Sequence, residues 1–362
     1  MTPRRVFILL VAGILVIAGS LWLVSQRHLE QATLTGDLVL PGLEKSLNDV
    51  TEIRLTKGDG TRTTLKKRPA DWVVGERGYP ADTGRVRKLL LDLAALSVVE
   101  EKTRNPQNYA QLGVEDSNSP KAAGTLVELI APTKNFALIV GKPAQGKSGF
   151  VRVAHTQSSL LAQPLISVDT DPRHWIDRAV VDISDQQMKE AVVESAAGPA
   201  YTVARAAPQQ DDYKVAPLPK GRELSGSGAA NGVGSALSSL QADDVRRAPT
   251  AAADAADAAD AAKSDHGIFR TFNGLELDIT GHTEGERHYI ALVARSNAKE
   301  SQAEAERINA RFQDWQIEIP TYNYQAMFKP LEELLKKLEP PKAKAAKASA
   351  AKKSASPSEK PD

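Results

Sequence analysis

The 362-residue chain contains no cysteine, which excludes disulfides, thiolate metal sites and a cysteine nucleophile. The same absence fits an oxidising compartment, where a stray thiol is a hazard. A charge excess is also missing. With 46 Lys and Arg against 45 Asp and Glu, no global field argues for nucleic acid as a partner. Histidine is scarce, and none of the six forms H-x-x-x-H or stands beside a carboxylate at metal-site spacing. His282 and His288 flank one expected hairpin turn, close enough in sequence to approach each other, but two ligands rarely hold a metal without a third. There is no G-x-S-x-G elbow and no S-x-x-K pair, and no two acidic residues stand out as acid and base. The chain therefore offers no catalytic, cofactor or metal site, and it is expected not to be an enzyme.

What it does have is one long apolar run, VFILLVAGILVIAGSLWLV from Val6 to Val24, long enough as a helix to cross the hydrocarbon of a bilayer. Arg4 and Arg5 precede it and Arg27 follows, so the positive-inside rule leaves the N-terminus in the cytoplasm and the bulk of the chain outside. A cleaved signal peptide fits less well, because the run exceeds an ordinary h-region and no A-x-A site follows. The expectation is a single-pass protein of a bacterial inner membrane, with 1–27 as cytoplasmic stub and anchor, 28–44 as linker, and the remainder in the periplasm.

Beyond the linker the chain repeats itself. VTEIRL, TTLKK and DWVV near Val50 are followed at a distance by MKEAVV, YTVAR and DYKV near Met188. Both triples alternate apolar and polar residues between Gly, Pro and Asp turns, as the strands of an antiparallel meander should. Trp72 and Tyr213 fall at matching points. A helix is expected after each triple. In the first copy Val86, Leu89, Leu90, Leu93 and Leu96 recur at helical spacing behind a cap at Asp82 or Thr83. In the second, Val233, Ala236, Leu237 and Leu240 make a weaker stripe in a Gly/Ser-rich approach. Paired strands follow, TLVELI with FALIV and LELDI with HYIALVA, then FVRVA and WQIEI. The expected fold class is α+β: two tandem repeats, 45–184 and 185–338, each a mostly antiparallel sheet packed with one main helix, behind an N-terminal transmembrane helix.

The segment GKPAQGKS, carrying Gly141, Gly146, Lys147 and Ser148, spells a phosphate-binding P-loop. Such a loop must open a helix, whereas GFVRVA after it alternates as a strand, so these residues are read as a hairpin turn. The place expected to be equivalent in the second copy, Ser296 to Asp314, has no G-K-S. The alanine-rich stretch near 248–264 has a three-residue period that suits neither helix stripe nor strand, and reads as a surface insertion. The Lys/Ala-rich tail 339–362 is too poor in apolar residues to pack, and reads as a disordered solubilising tail. Contact with anionic headgroups or an acidic partner is the other use of its lysines.

DWVV, GYPAD at Gly78 to Asp82, the leucine helix, NYAQLGV at Asn108 to Val114, ALIVGK and GFVRV come in an order that resembles domain-of-unknown-function family 4340. Its members are similar in being membrane-anchored bacterial proteins encoded beside ABC-transporter components of the type linked to gliding motility. The resemblance implies an extracytoplasmic accessory role and supplies no catalytic residues. The second copy departs from the pattern, lacking Y-P-A-D and Y-x-x-L-G. The function expected is a non-catalytic periplasmic binding or scaffolding module, an accessory of an ABC-type transport complex. The alternative is an enzyme modifying an envelope polymer, with carboxylates assembled between the repeats.

Overall fold

A computed structural model of the chain describes residues 36–119, 121–249 and 264–337. The expected span at 6–24, the first part of the expected linker, most of the alanine-rich insertion and the tail 339–362 lie outside the described residues. Among the described residues no helix is long and apolar enough to cross a membrane.

The chain folds as a sheet-rich α+β protein. Strands β1 (Glu52–Lys57), β2 (Arg62–Lys67) and β3 (Trp72–Val74) form the first meander, extended by the short β4 (Tyr79–Pro80). Alternation does what it should: Ile53 and Leu55 are buried while Arg54 between them is exposed. Helix α1 (Thr83–Ala94) opens where the Asp82 carboxylate accepts the Arg85 N–H at 3.1 Å. It buries Val86, Leu89, Leu90 and Leu93 on the sheet, each leucine contributing about 1.5–3 kcal/mol of apolar burial. The chain continues through β5 (Ser97–Thr103), β6 (Thr125–Ile130), β7 (Phe136–Pro143), β8 (Gly149–Val153) and β9 (Ser159–Gln163). The nine-stranded antiparallel sheet has the order β4-β3-β2-β1-β6-β7-β8-β9-β5.

After β10 (Ala179–Val181) a second meander follows, β11 (Met188–Glu194), β12 (Tyr201–Ala204) and β13 (Lys214–Ala216). Then come the single turn α2 (Asn231–Gly234), β14 (Leu240–Gln241), which pairs with β10, and β15 (Asp244–Arg247). The remainder is β16 (Asp265–Thr271), β17 (Leu275–Glu284), β18 (Arg287–Ser296), α3 (Gln302–Phe312), β19 (Trp315–Ile319) and α4 (Thr321–Met327). Their sheet has the order β13-β12-β11-β16-β17-β18-β19-β15. Counted from the meander, both sheets are traversed in one order, with β5 and β15 closing the far edge.

The halves differ where the sequence stripe was weak. Val233, Ala236, Leu237 and Leu240 are buried, but α2 is one turn rather than a main helix. Glycine is the physical reason: Gly232 and Gly234 disfavour helix, and a Cβ on Gly234 would sit 2.3 Å from the Tyr213 ring. The eleven-residue helix of this half is α3, between β18 and β19. Tyr213 itself is buried, with the Arg205 guanidinium 4.7 Å over its ring and its hydroxyl donating to Asp185 Oδ1 at 2.9 Å. Trp72 is buried too and shares a core cluster with Leu89 and Leu93.

That cluster is continuous across both halves, reaching from Leu55 and Leu93 to Leu277 and Phe312. Val39, Leu40 and Leu43, within the expected linker 28–44, belong to it. The stretch leading into them, Gly36 to Val39, lies as a strap on the outer edge of β5. Gly36 N–H donates to Val98 O, Val98 N–H to Asp37 O and Val39 N–H to Leu96 O, each at 2.8 Å.

Candidate functional site

The β3–β4 hairpin turns at Gly78, whose φ of 66° lies in the region glycine tolerates, and the turn carries Arg77 and Tyr79 to the second half. Tyr79 has no exposed surface. Its ring meets Trp315 edge-on at 4.9 Å, and Arg311 Nε donates to its hydroxyl at 3.2 Å while Arg311 Nη2 pairs with Asp177 at 2.9 Å. Burial pushes the Tyr79 phenol pKa up, so the hydroxyl stays neutral. Beside it Arg77 donates two parallel bonds to Asp244, Nε to Oδ1 and Nη2 to Oδ2, both at 2.7 Å. This bidentate form is the strongest of the common ion pairs.

Next to this joint the two halves part into an open cleft. One cavity of about 410 Å³ is lined by Arg246, Arg247, Tyr289 and Glu318, and another of about 480 Å³ by Thr61, Thr170, Asp171 and Arg173. They share Arg77, Asp244 and Arg287. A third cavity, about 670 Å³, shares Lys57, Asp169 and Thr170 with the second and runs along the flank of α1.

Asp244 and Glu318 are cross-strand partners on β15 and β19, both in the second sheet, on the wall of the cleft. Arginines meet them: Arg77 on Asp244, and Arg287 Nη1 3.6 Å from Glu318 Oε2, an ion pair without a hydrogen bond. Arg246 lies 3.9 Å over the Tyr289 ring and donates to Gln316 Oε1 at 2.7 Å and to Glu284 Oε2 at 2.8 Å. That hydrogen bond, followed by Arg246's charge and His282, lowers the Glu284 pKa to about 2 against the cost of burial. Arg173 acts likewise on Asp171, lowering its pKa. The carboxylates with displaced pKa values all move down, including Glu276 and Asp278 on the outer face of the second sheet.

Gly141 lies in β7, Gly146 turns at φ 73°, and Lys147 and Ser148 precede β8, with Ala144 N–H donating to Ser148 O at 2.9 Å. The segment joins two antiparallel strands, and a strand rather than a helix follows the lysine. By strand order its counterpart is the Gly285 turn between β17 and β18, not Ser296 to Asp314, which spans β18 to β19. The reason is β16, which the sequence pattern concealed. His282 and His288 do not approach each other. Their partners in register are Tyr289 and Thr283 on opposite faces of the sheet, and they stack on Tyr289 and Tyr324 respectively. Among the described residues no group of His, Asp and Glu is arranged to hold a metal.

The sequence motifs serve packing. In GYPAD, Tyr79 plugs the joint, Ala81 bridges Ile176, and Asp82 caps α1. In NYAQLGV the Tyr109 ring lies under Arg152 at 4.6 Å, and Gly113 ends the turn at φ 70°. That turn rests on two glycines: a Cβ on Gly124 would lie 2.3 Å from Gly113 O, and one on Gly141 2.5 Å from Leu112 O. The cleft residues Arg77, Arg173, Asp244, Arg246, Arg287 and Glu318 carried no sequence signal, since they come from segments far apart in the chain.

Comparison with curated proteins and with solved structures found no match for the chain. A family model described as Domain of unknown function (DUF4340) matches residues 72–263, more than half of the chain, and the chain belongs to that family.

Proposed function

We propose that the chain is a non-catalytic binding or scaffolding module, held to a bacterial inner membrane by residues 6–24 with its sheets on the periplasmic side. In this reading it serves as an accessory of an ABC-type transport complex, as the resemblance in its motifs implies. The observation that carries the binding role is the cleft beside the Tyr79 joint. Its walls come from both halves, its arginines are engaged by carboxylates, and its displaced carboxylate pKa values fall rather than rise. Such a surface offers a partner preorganised polar contacts on a stiff support. The common strand order of the two sheets supports their origin as tandem repeats, with the second free to lose the first copy's motifs once one core joined them.

Affinity isolation of the tagged full-length chain from membranes tests the reading. Components of an ABC-type transporter should co-purify. Recovery of the chain alone, or from the soluble fraction, overturns it. A soluble-fraction result would also remove the anchor inferred from Val6 to Val24.

A further inference from the structure

The chain holds two Asn-Gly pairs, Asn231–Gly232 and Asn273–Gly274. In such a pair the glycine nitrogen has no adjoining Cβ to keep it from the asparagine carboxamide carbon. Attack there expels the side-chain nitrogen as ammonia and leaves a five-membered imide, which water opens at either carbonyl to aspartate or isoaspartate. The fold treats the two pairs differently.

Gly232 is the second residue of α2, so its N–H is one of the amides that a helix start leaves without an intrahelical partner. It donates to no group among the described residues, and the space where a Cβ would stand is open. Gly274 is the reverse. Its N–H donates to Thr271 O at 3.2 Å, its carbonyl accepts from Asn297 N–H at 2.8 Å, and a Cβ there would lie 2.6 Å from the Ala298 methyl. Asn273 Oδ1 is held as well, accepting from the Thr271 hydroxyl.

Asn231 has a structural task. Its Nδ2 donates to Asp211 O and Asp212 Oδ1, both at 3.1 Å, and its Oδ1 accepts from Tyr213 N–H at 3.4 Å. The carboxamide thus clips the tip of the β12–β13 hairpin to α2. Both aspartates are exposed, so the clip opens without disturbing the core, and the carboxamide carbon can then turn to the Gly232 nitrogen. We propose that Asn231 is a site of spontaneous deamidation, and that its conversion to a carboxylate releases this clip. A carboxylate accepts hydrogen bonds and donates none. At position 231 it would meet the Asp211 carbonyl and the like charge of Asp212 with no proton to offer either. Isoaspartate would also add a backbone carbon within α2. The part set loose is β13, the edge strand of the second sheet.

The test ages the full-length chain, purified in detergent, in mildly alkaline buffer and maps its peptides by mass spectrometry with isoaspartate resolved. Position 231 should convert faster than position 273 by roughly fivefold or more, about the factor that one hydrogen bond is worth. In urea the two rates should converge. Gly232→Ala enters open space and favours helix, so it should suppress conversion at 231 without lowering the melting midpoint. In the aged chain the Lys214–Ala216 amides should exchange faster, and Asn231→Asp should lower the midpoint by about 2–4 °C.

Equal native rates at the two positions, or an unreactive position 231, overturns the site. A preference that persists in urea lies in the local sequence and overturns the structural argument. Conversion without faster exchange at β13 overturns the release of the clip, as does an unchanged midpoint in Asn231→Asp.

Discussion

Replacing Tyr79 by alanine empties the joint between the two sheets. A fully buried aromatic removes roughly 150–250 Å² from water, about 4–6 kcal/mol at ~25 cal/mol per Å². The extended-chain reference makes that figure an upper bound. Aromatic-to-alanine changes in cores cost about 3–5 kcal/mol, and this range is the expectation for Tyr79→Ala. Tyr79→Phe keeps the ring on Trp315 and removes the hydroxyl that Arg311 meets at 3.2 Å. Arg311 retains Asp177, so the loss should be about 0.5–1.5 kcal/mol. At roughly 2 °C per kcal/mol for a body of this size, calorimetry of the full-length chain should show midpoints lower by about 6–10 °C for alanine and about 1–3 °C for phenylalanine. The wild-type chain should unfold in one transition, because the core is continuous. Two resolved wild-type transitions would refute that continuity. A phenylalanine variant as damaged as the alanine one would show that the ring contact is not what holds the joint.

Trp72→Ala should cost about 3–5 kcal/mol by the same reasoning; an unchanged melting midpoint would move this tryptophan from core to ligand site. Gly124→Ala forces a methyl against the Gly113 carbonyl and should destabilise by about 1–3 kcal/mol, whereas Lys147→Ala should stay within ~0.5 kcal/mol. Saturable ATP binding lost in Lys147→Ala would instead restore the P-loop. Glu284 should titrate near pH 2 in the native chain and return toward the ordinary carboxylate range in Arg246→Ala, as followed by carboxyl NMR. Since its folded pKa is depressed, its contribution is present above the unfolded value and fades as pH falls toward about 2. Exposure of the pair keeps that contribution small. An unchanged titration in the arginine variant would refute the assignment.

Elements whose side chains alternate cleanly were legible in the sequence. The two meanders and α1 follow from period and capping, because β1, β2, β11 and β12 alternate between a buried and a more open face and α1 buries one stripe. Strand β16 escaped because Gly267 interrupts its apolar face. Its space is filled by two rings, one from the strand itself: a Cβ there would lie 2.7 Å from the Phe269 ring and 3.4 Å from that of Phe328. Missing it set LELDI against TLVELI, one strand out of step. Strand β5 escaped for another reason: Glu100, Glu101 and Lys102 dilute the pattern of a half-exposed edge. The cleft was not legible at all. Arg77 and Asp244 are 167 positions apart, and no local pattern encodes a meeting made by packing two sheets.

The strap at Gly36–Val39 bears on how the protein avoids sticking to itself. A bare edge strand is a template for pairing with other chains. Here the strap occupies β5 at Leu96–Val98, and the acidic and basic side chains of Glu100, Glu101 and Lys102 guard the stretch beyond. A fragment cut at residue 45, where the sequence pattern places the domain boundary, would leave Leu96 to Val98 without the strap at that edge. It should elute as concentration-dependent oligomers in size-exclusion chromatography, while one starting at Gly36 or earlier stays monodisperse. Colloidal behaviour of the whole sheet is thus decided by a few residues that look like linker.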